Sequence, residues 1–174
     1  MNAGKQNRRD FYSVTLLCIF SIAMIAQVSL LFLLPTGHIG WLIQTGWVLF
    51  ALSAILGWLP ILAFRLRGRV PKGRSYIHTT QLVTSGLYAI VRHPQFLAWD
   101  FLAIAIVCIT QHWGVYVAGG MIIVINHLTM AYADRDLIEK FAEPYRQYME
   151  QVPQWNLFVG LWRWIRHRIT ARFR

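Results

Sequence analysis

Arg92, His93 and Pro94 form the most chemically capable cluster in the chain, with Tyr88 four residues upstream and Phe96 two residues past the proline. Arginine brings a permanently charged planar fork suited to a carboxylate or phosphate. Histidine brings a hydrogen-bonding ring whose charge changes near neutral pH. Pro94 lacks an N–H, which is harmless in the first turn of a helix, so it suits the start of the apolar run that follows. On their own these residues also suit anchoring at the level of lipid headgroups. A second polar group lies downstream: His127 and Asp134 are seven residues apart, two turns along one helical face, and Tyr145 and Tyr148 follow within a short apolar stripe. Asp100, inside the third apolar run, suits pairing with an arginine or a place near enough to the interface to stay solvated, and His127 suits either an extension of the site toward the membrane or an interhelical hydrogen bond.

The elements that must position these residues are spans. Phe11–Leu34 and Trp41–Phe64 are two uncharged stretches of 24 residues each. Each is long enough to cross a bilayer with some tilt, and the short PTGHIG link makes them a hairpin. A third apolar run covers 95–111 and a fourth 114–132, joined by a tight QHWG turn. The expected fold is therefore an all-α membrane protein of four transmembrane helices in two hairpins, one domain over 1–174. A polar connection covers 65–94, and the segment 133–174 is expected to form amphipathic helices. Within the connection, Gly68, Pro71 and Gly73 predict loop, whereas the pattern from Thr79 to Val91 suits either a short helix or a strand. The fourth span is expected to run on to about Lys140, break at Ala142–Glu143, and resume as a short helix with Pro144 in its first turn.

A hydrophobic content of 56% and a mean hydropathy of +0.43 leave no soluble core to build. The net charge of +10 does not indicate nucleic acid, because the basic residues flank apolar spans instead of sharing one wet face. Of the 17 Lys and Arg residues, three precede the first span, six lie in 65–94 and eight follow Tyr132, while the two opposite links have none. That bias puts both termini and the 65–94 connection on the cytoplasmic side, as in an inner or cytoplasmic membrane. Cys18 and Cys108 fall inside apolar runs, so neither a disulfide framework nor a metal site is expected. The tail from Phe158 mixes Trp162, Trp164 and Ile165 with five arginines, a composition suited to lying along an anionic lipid surface.

The stretch LVTSGLYAIVRHPQF, Leu82–Phe96, resembles the signature of the membrane-embedded isoprenylcysteine carboxyl methyltransferase family. A second block, Phe141-Ala142, Tyr145, Tyr148 and Val152-Pro153, follows in the family's register one hairpin later. The resemblance implies methyl transfer from S-adenosyl-methionine to a lipophilic acceptor drawn from the bilayer at the cytoplasmic face. It further implies that the two blocks line the cofactor pocket. Carried over residue by residue, Arg92, His93 and Asp134 are the expected catalytic residues. Tyr88, Arg92, His93, Pro94, Phe96, His127, Asp134, Tyr145 and Tyr148 are expected around the cofactor. Arg92 suits the cofactor's carboxylate and Asp134 its ammonium or a ribose hydroxyl; His93 or Asp134 is the nearest candidate base should the acceptor carry a proton. Four positions depart from the pattern: Ala133 and Asp134 stand where the family has a glutamate pair, Phe96 replaces a tyrosine, and Ala142 replaces a glycine. An inactive scaffold of the same fold and a membrane sterol-type reductase are the alternatives. Cofactor binding separates the scaffold from both enzymes.

Overall fold

The computed structural model describes residues 3–69 and 79–172. Much of the basic RVPKGR stretch expected as loop, including Pro71 and Gly73, lies outside them. Among the described residues six α-helices follow one another: α1 (Ala3–Leu33), α2 (Gly40–Arg67), α3 (Pro94–Thr110), α4 (Trp113–Phe141), α5 (Glu143–Gln151) and α6 (Leu157–Arg172). There is no strand among the described residues. α1 begins inside the polar arm that precedes the apolar run. Among the described residues three helices are long and apolar enough to cross a membrane: Val14–Leu33 within α1, α2, and α4. The third apolar run forms the shorter α3 of 17 residues. Charge-free runs of this length become helices because, without water, each backbone N–H and C=O must be satisfied within its own segment.

The chain divides into two compact units, 1–54 with 98–134 and 55–97 with 135–174. The first unit packs Ala23, Met24, Ala103 and Ile122 into an apolar centre with Phe20 and Leu102 against it. Its helices are also tied by isolated polar bonds. Gln27 Nε2 donates to Ala103 O at 3.0 Å, Ser53 Oγ to Ala98 O at 2.7 Å, and Asn126 Nδ2 to Asp100 Oδ1 at 2.8 Å. All four side chains are buried, so each bond satisfies a group that could not stay unpaired in hydrocarbon. The two links without basic residues are joined: Gln111 exchanges hydrogen bonds of 3.1 Å with both backbone groups of Ile39, and Gly37 N–H donates to Ile109 O at 2.9 Å.

The second unit contains the end of α2, the signature stretch, the end of α4, α5 and α6. The expected break in the helical run is present. α4 stops at Phe141, and Ala142 turns the chain with φ 51° and ψ −127° before Pro144 enters the first turn of α5. A left-handed φ is costly for a residue with a Cβ, so the family's glycine at this position has a backbone reason. Neither option expected for Thr79–Val91 forms throughout. The segment is irregular except for one turn of 3₁₀ helix at Gly86–Ala89, entered through Gly86 at φ 70°. Tyr145, Tyr148 and Val152 centre this unit's core, with Leu82, Leu137, Ile138, Phe141 and Met149 packed around them. That core is the apolar stripe read from the sequence beyond Tyr132.

Candidate functional site: the joined signature blocks

The second unit brings the two signature blocks together through the backbone. After the 3₁₀ turn, Ile90 and Val91 donate to Leu87 O at 2.9 and 3.0 Å, and the next two amides turn outward. Arg92 N–H donates to Pro153 O at 3.0 Å and His93 N–H to Gln154 O at 3.1 Å. α3 then starts at Pro94, and its first helical bond, Leu97 N–H to His93 O at 3.2 Å, leaves the proline nitrogen where no donor is needed. Two side chains reinforce the join. Arg92 Nη1 donates to Met149 O at 3.1 Å, and Tyr148 Oη donates to Tyr88 O at 2.6 Å. The irregular Leu82–His93 stretch has few bonds of its own to make, so its backbone groups are satisfied from α5 and the segment after it.

This arrangement separates the predicted site residues into groups. Tyr88, Arg92, His93, Pro94, Phe96, Tyr145 and Tyr148 all belong to one unit. Within it His93 is buried with its ring edge-on to Phe96, centroids 5.6 Å apart at 87°. Tyr88 is buried with its ring 5.0 Å from that of Phe64. Tyr145, 1% exposed, is a core residue. Arg92, the expected carboxylate ligand, commits one arm of its guanidinium to Met149 O, and Tyr148 commits its hydroxyl to Tyr88 O. Asp134 and His127 belong to the other unit, where Asp134 is buried and His127 Nδ1–H donates to Ile123 O of its own helix at 2.8 Å.

A polar cleft of about 380 Å³ opens in the second unit. It is lined by Thr84 and Ala89 of the first block, Pro144, Gln147, Tyr148 and Gln151 of α5, Val152 just after it, and Arg163 and Trp164 of α6. Pro144, Gln147, Tyr148 and Gln151 fall at i, i+3, i+4 and i+7, one face of α5. Arg163 Nη2 donates to Ala89 O, and its Nε–H is buried with no acceptor. Among the described residues Arg163 is the one charged residue in the lining, which makes the cleft attractive to a carboxylate or phosphate. Thr84, Gln147, Gln151, Arg163 and Trp164 were not among the residues expected at the site. The glutamine spacing on α5 and the Trp-Arg-Trp alternation at 162–164 were the available signals. Among the described residues no cluster of His, Cys, Asp and Glu is set to hold a metal ion.

These features define a class, an all-helical integral membrane protein whose polar site is assembled from short helices and irregular segments continuous with apolar spans. Sequence comparison points the same way: the model of the Isoprenylcysteine carboxyl methyltransferase (ICMT) family matches residues 73–139. That family is one of methyltransferases that generally use S-adenosyl-methionine. The match contains the whole first block and ends before Phe141, and the hydrogen bonds at Arg92, His93 and Tyr148 tie the second block to it. No curated protein and no solved structure matches the chain.

Proposed function

We propose that the protein is a membrane methyltransferase that moves a methyl group from S-adenosyl-methionine to a lipophilic acceptor taken from the bilayer. The observation that carries this reading is the physical union of the two blocks, with consecutive amides of Arg92 and His93 bonded to Pro153 and Gln154. The polar cleft beside that union has the chemistry the cofactor requires. The Arg163 guanidinium in the lining suits its carboxylate, Thr84, Gln147 and Gln151 suit the ribose hydroxyls, and the Trp164 indole suits the adenine. Arg163 thus takes the role first expected of Arg92, whose guanidinium helps join the blocks. When bound, S-adenosyl-methionine supplies a sulfonium-activated methyl group.

The residues then have little proton chemistry to do. Methyl transfer depends on alignment and exclusion of water more than on acid–base catalysis, and the buried His93–Phe96 pair supplies an apolar wall with one hydrogen-bonding edge. A carboxylate acceptor needs no base. For a thiol or ammonium acceptor, His93 takes the proton. In this reading α3 is the fourth crossing, its 17 residues giving about 25 Å of helix against about 30 Å of hydrocarbon, with the remaining depth met by local thinning. Four crossings leave both termini and the signature segment on the basic, cytoplasmic side.

The test is calorimetric binding of S-adenosyl-homocysteine to the full chain in lipid nanodiscs, with Arg163→Ala and Trp164→Ala alongside. Micromolar binding that weakens at least about tenfold in both variants supports the reading. A folded protein that shows no binding removes it and leaves the inactive scaffold, for which Ala133, in place of a family acid, is the supporting residue.

A further inference from the structure

α6 has two faces of opposite purpose. Asn156 caps its start, accepting the Val159 N–H on Oδ1 at 3.0 Å. On the inner face lie Gly160, Arg163 and Trp164, at i, i+3 and i+4. A Cβ on Gly160 would overlap the backbone carbonyl of Ile90, so the helix rests directly on the first block with no side chain between. Arg163 bonds the carbonyl of Ala89 from the next turn. α6 therefore grips two consecutive peptide groups immediately before Arg92 and His93. With 3.6 residues per turn, the opposite face carries Phe158, Leu161, Trp162, Ile165 and Ile169. All five are exposed; Phe158 is 84% and Trp162 63% exposed. Arg166 flanks this stripe and lies over the Trp162 ring, 5.4 Å from its centroid. The helix contains four arginines, one histidine and no acid.

We propose that α6 is an interfacial helix whose outer stripe enters an anionic bilayer surface, and that this attachment holds the first signature block in order through Gly160 and Arg163. The occupant follows from the charge. A helix with a contiguous apolar stripe, flanking arginines and no acidic residue complements a surface that is apolar below and negative above. A second protein copy packed on the stripe would have to leave those arginines unpaired or supply acids to meet them, and the whole chain has 7 acidic residues against 17 basic ones. Lipid is thereby a regulator as well as a solvent. When α6 is lifted from the surface, Ile90 and Ala89 lose the contact and the acceptor-bound donor that fix them, and the 3₁₀ turn loosens. The site proposed above is then expected to respond to lipid charge, but the inference rests on α6 and the turn alone.

The full chain is reconstituted as single copies in nanodiscs of phosphatidylcholine, with and without about one-third phosphatidylglycerol. Hydrogen exchange is read at amides 86–93, and the depth of a nitroxide at position 165 by power saturation, using Ile165→Cys with Cys18 and Cys108 replaced by serine. Neither readout involves the cofactor, so both can succeed while the methyltransferase reading fails. The label is expected below the headgroups in the anionic discs, with exchange at 86–93 slowed about tenfold relative to neutral discs. Trp162→Ser with Ile169→Ser should abolish that difference. Gly160→Val should release the turn while leaving the label at depth, which separates attachment from coupling. A water-exposed label in anionic discs overturns the membrane assignment. A label that is buried only when discs hold two copies shows a protein partner and also overturns it. Exchange indifferent to lipid charge overturns the coupling.

Discussion

The two units satisfy their buried polar groups in different ways. In 1–54 with 98–134 the helices are regular, their backbones are self-sufficient, and the interhelical bonds are few and isolated, such as Gln27 to Ala103 O and Asn126 to Asp100. In 55–97 with 135–174 much of the chain is irregular, and its carbonyls and amides are completed by residues some sixty positions away, as in Tyr148 to Tyr88 O and Arg92 to Met149 O. A self-sufficient helix tolerates the loss of one bond. A turn with no internal ladder does not, because each lost partner leaves a buried group with nothing to replace it. The signature is therefore partly structural: several residues that look like ligands in the sequence serve first to join its two blocks.

If that contrast is right, Arg92→Met has the largest effect of the substitutions considered in these two units. It removes a charge-assisted bond to Met149 O while keeping most of the apolar stem, and should cost about 2–3 kcal/mol. Equilibrium unfolding by steric trapping in bilayers checks it, and Arg92→Lys should restore little, since one flexible ammonium does not reproduce the planar fork. A loss confined to cofactor binding, with stability unchanged, would return Arg92 to the role of ligand. Tyr148→Phe comes next, at about 1–1.5 kcal/mol, because it deletes the buried 2.6 Å bond to Tyr88 O but preserves the ring's place in the core. Exchange at amides 86–90 should rise in that variant.

Much of the first unit was legible in the sequence because lipid imposes a simple rule, that a long uncharged run is helix. The break after Phe141 was legible as well, since Pro144 fits only a first turn. The third run was read as a span, and its helix, Pro94–Thr110, is shorter than the other three. What the sequence did not disclose is which atom each polar side chain serves. Arg92 and Tyr148 read as pocket residues because their chemistry suits a ligand, yet a backbone carbonyl brought near by packing is an equally good acceptor. Arg163 went unread for the opposite reason. Its segment looked like a surface tail, and only the absence of a side chain at Gly160 lets that tail reach the first block.

Ala142→Gly tests the same contrast from the stabilising side. At φ 51° and ψ −127° a Cβ is strained, and relieving it should stabilise the second unit by about 1 kcal/mol after the extra entropy of glycine in the unfolded chain is deducted. The gain should appear in global unfolding and leave the first unit's exchange pattern unchanged. No gain would mean that the backbone relaxes around alanine, and the departure from the family pattern would then carry no structural penalty.

Asn126→Ala should have the smallest effect and is the sharpest test of how the units differ. Its amide donates to Asp100 at 2.8 Å between two apolar helices, and both residues are buried. Interhelical bonds in membranes average about 0.6 kcal/mol, because helices separated in the bilayer find other partners for the same groups. A cost of that size, roughly half that of Tyr148→Phe, makes the pair ordinary helix glue. A cost above about 1.7 kcal/mol would exceed what such bonds reach. It would mean that Asp100 is held in place against its own tendency to find water, and a buried acid so held would move the search for the acceptor site into the first unit.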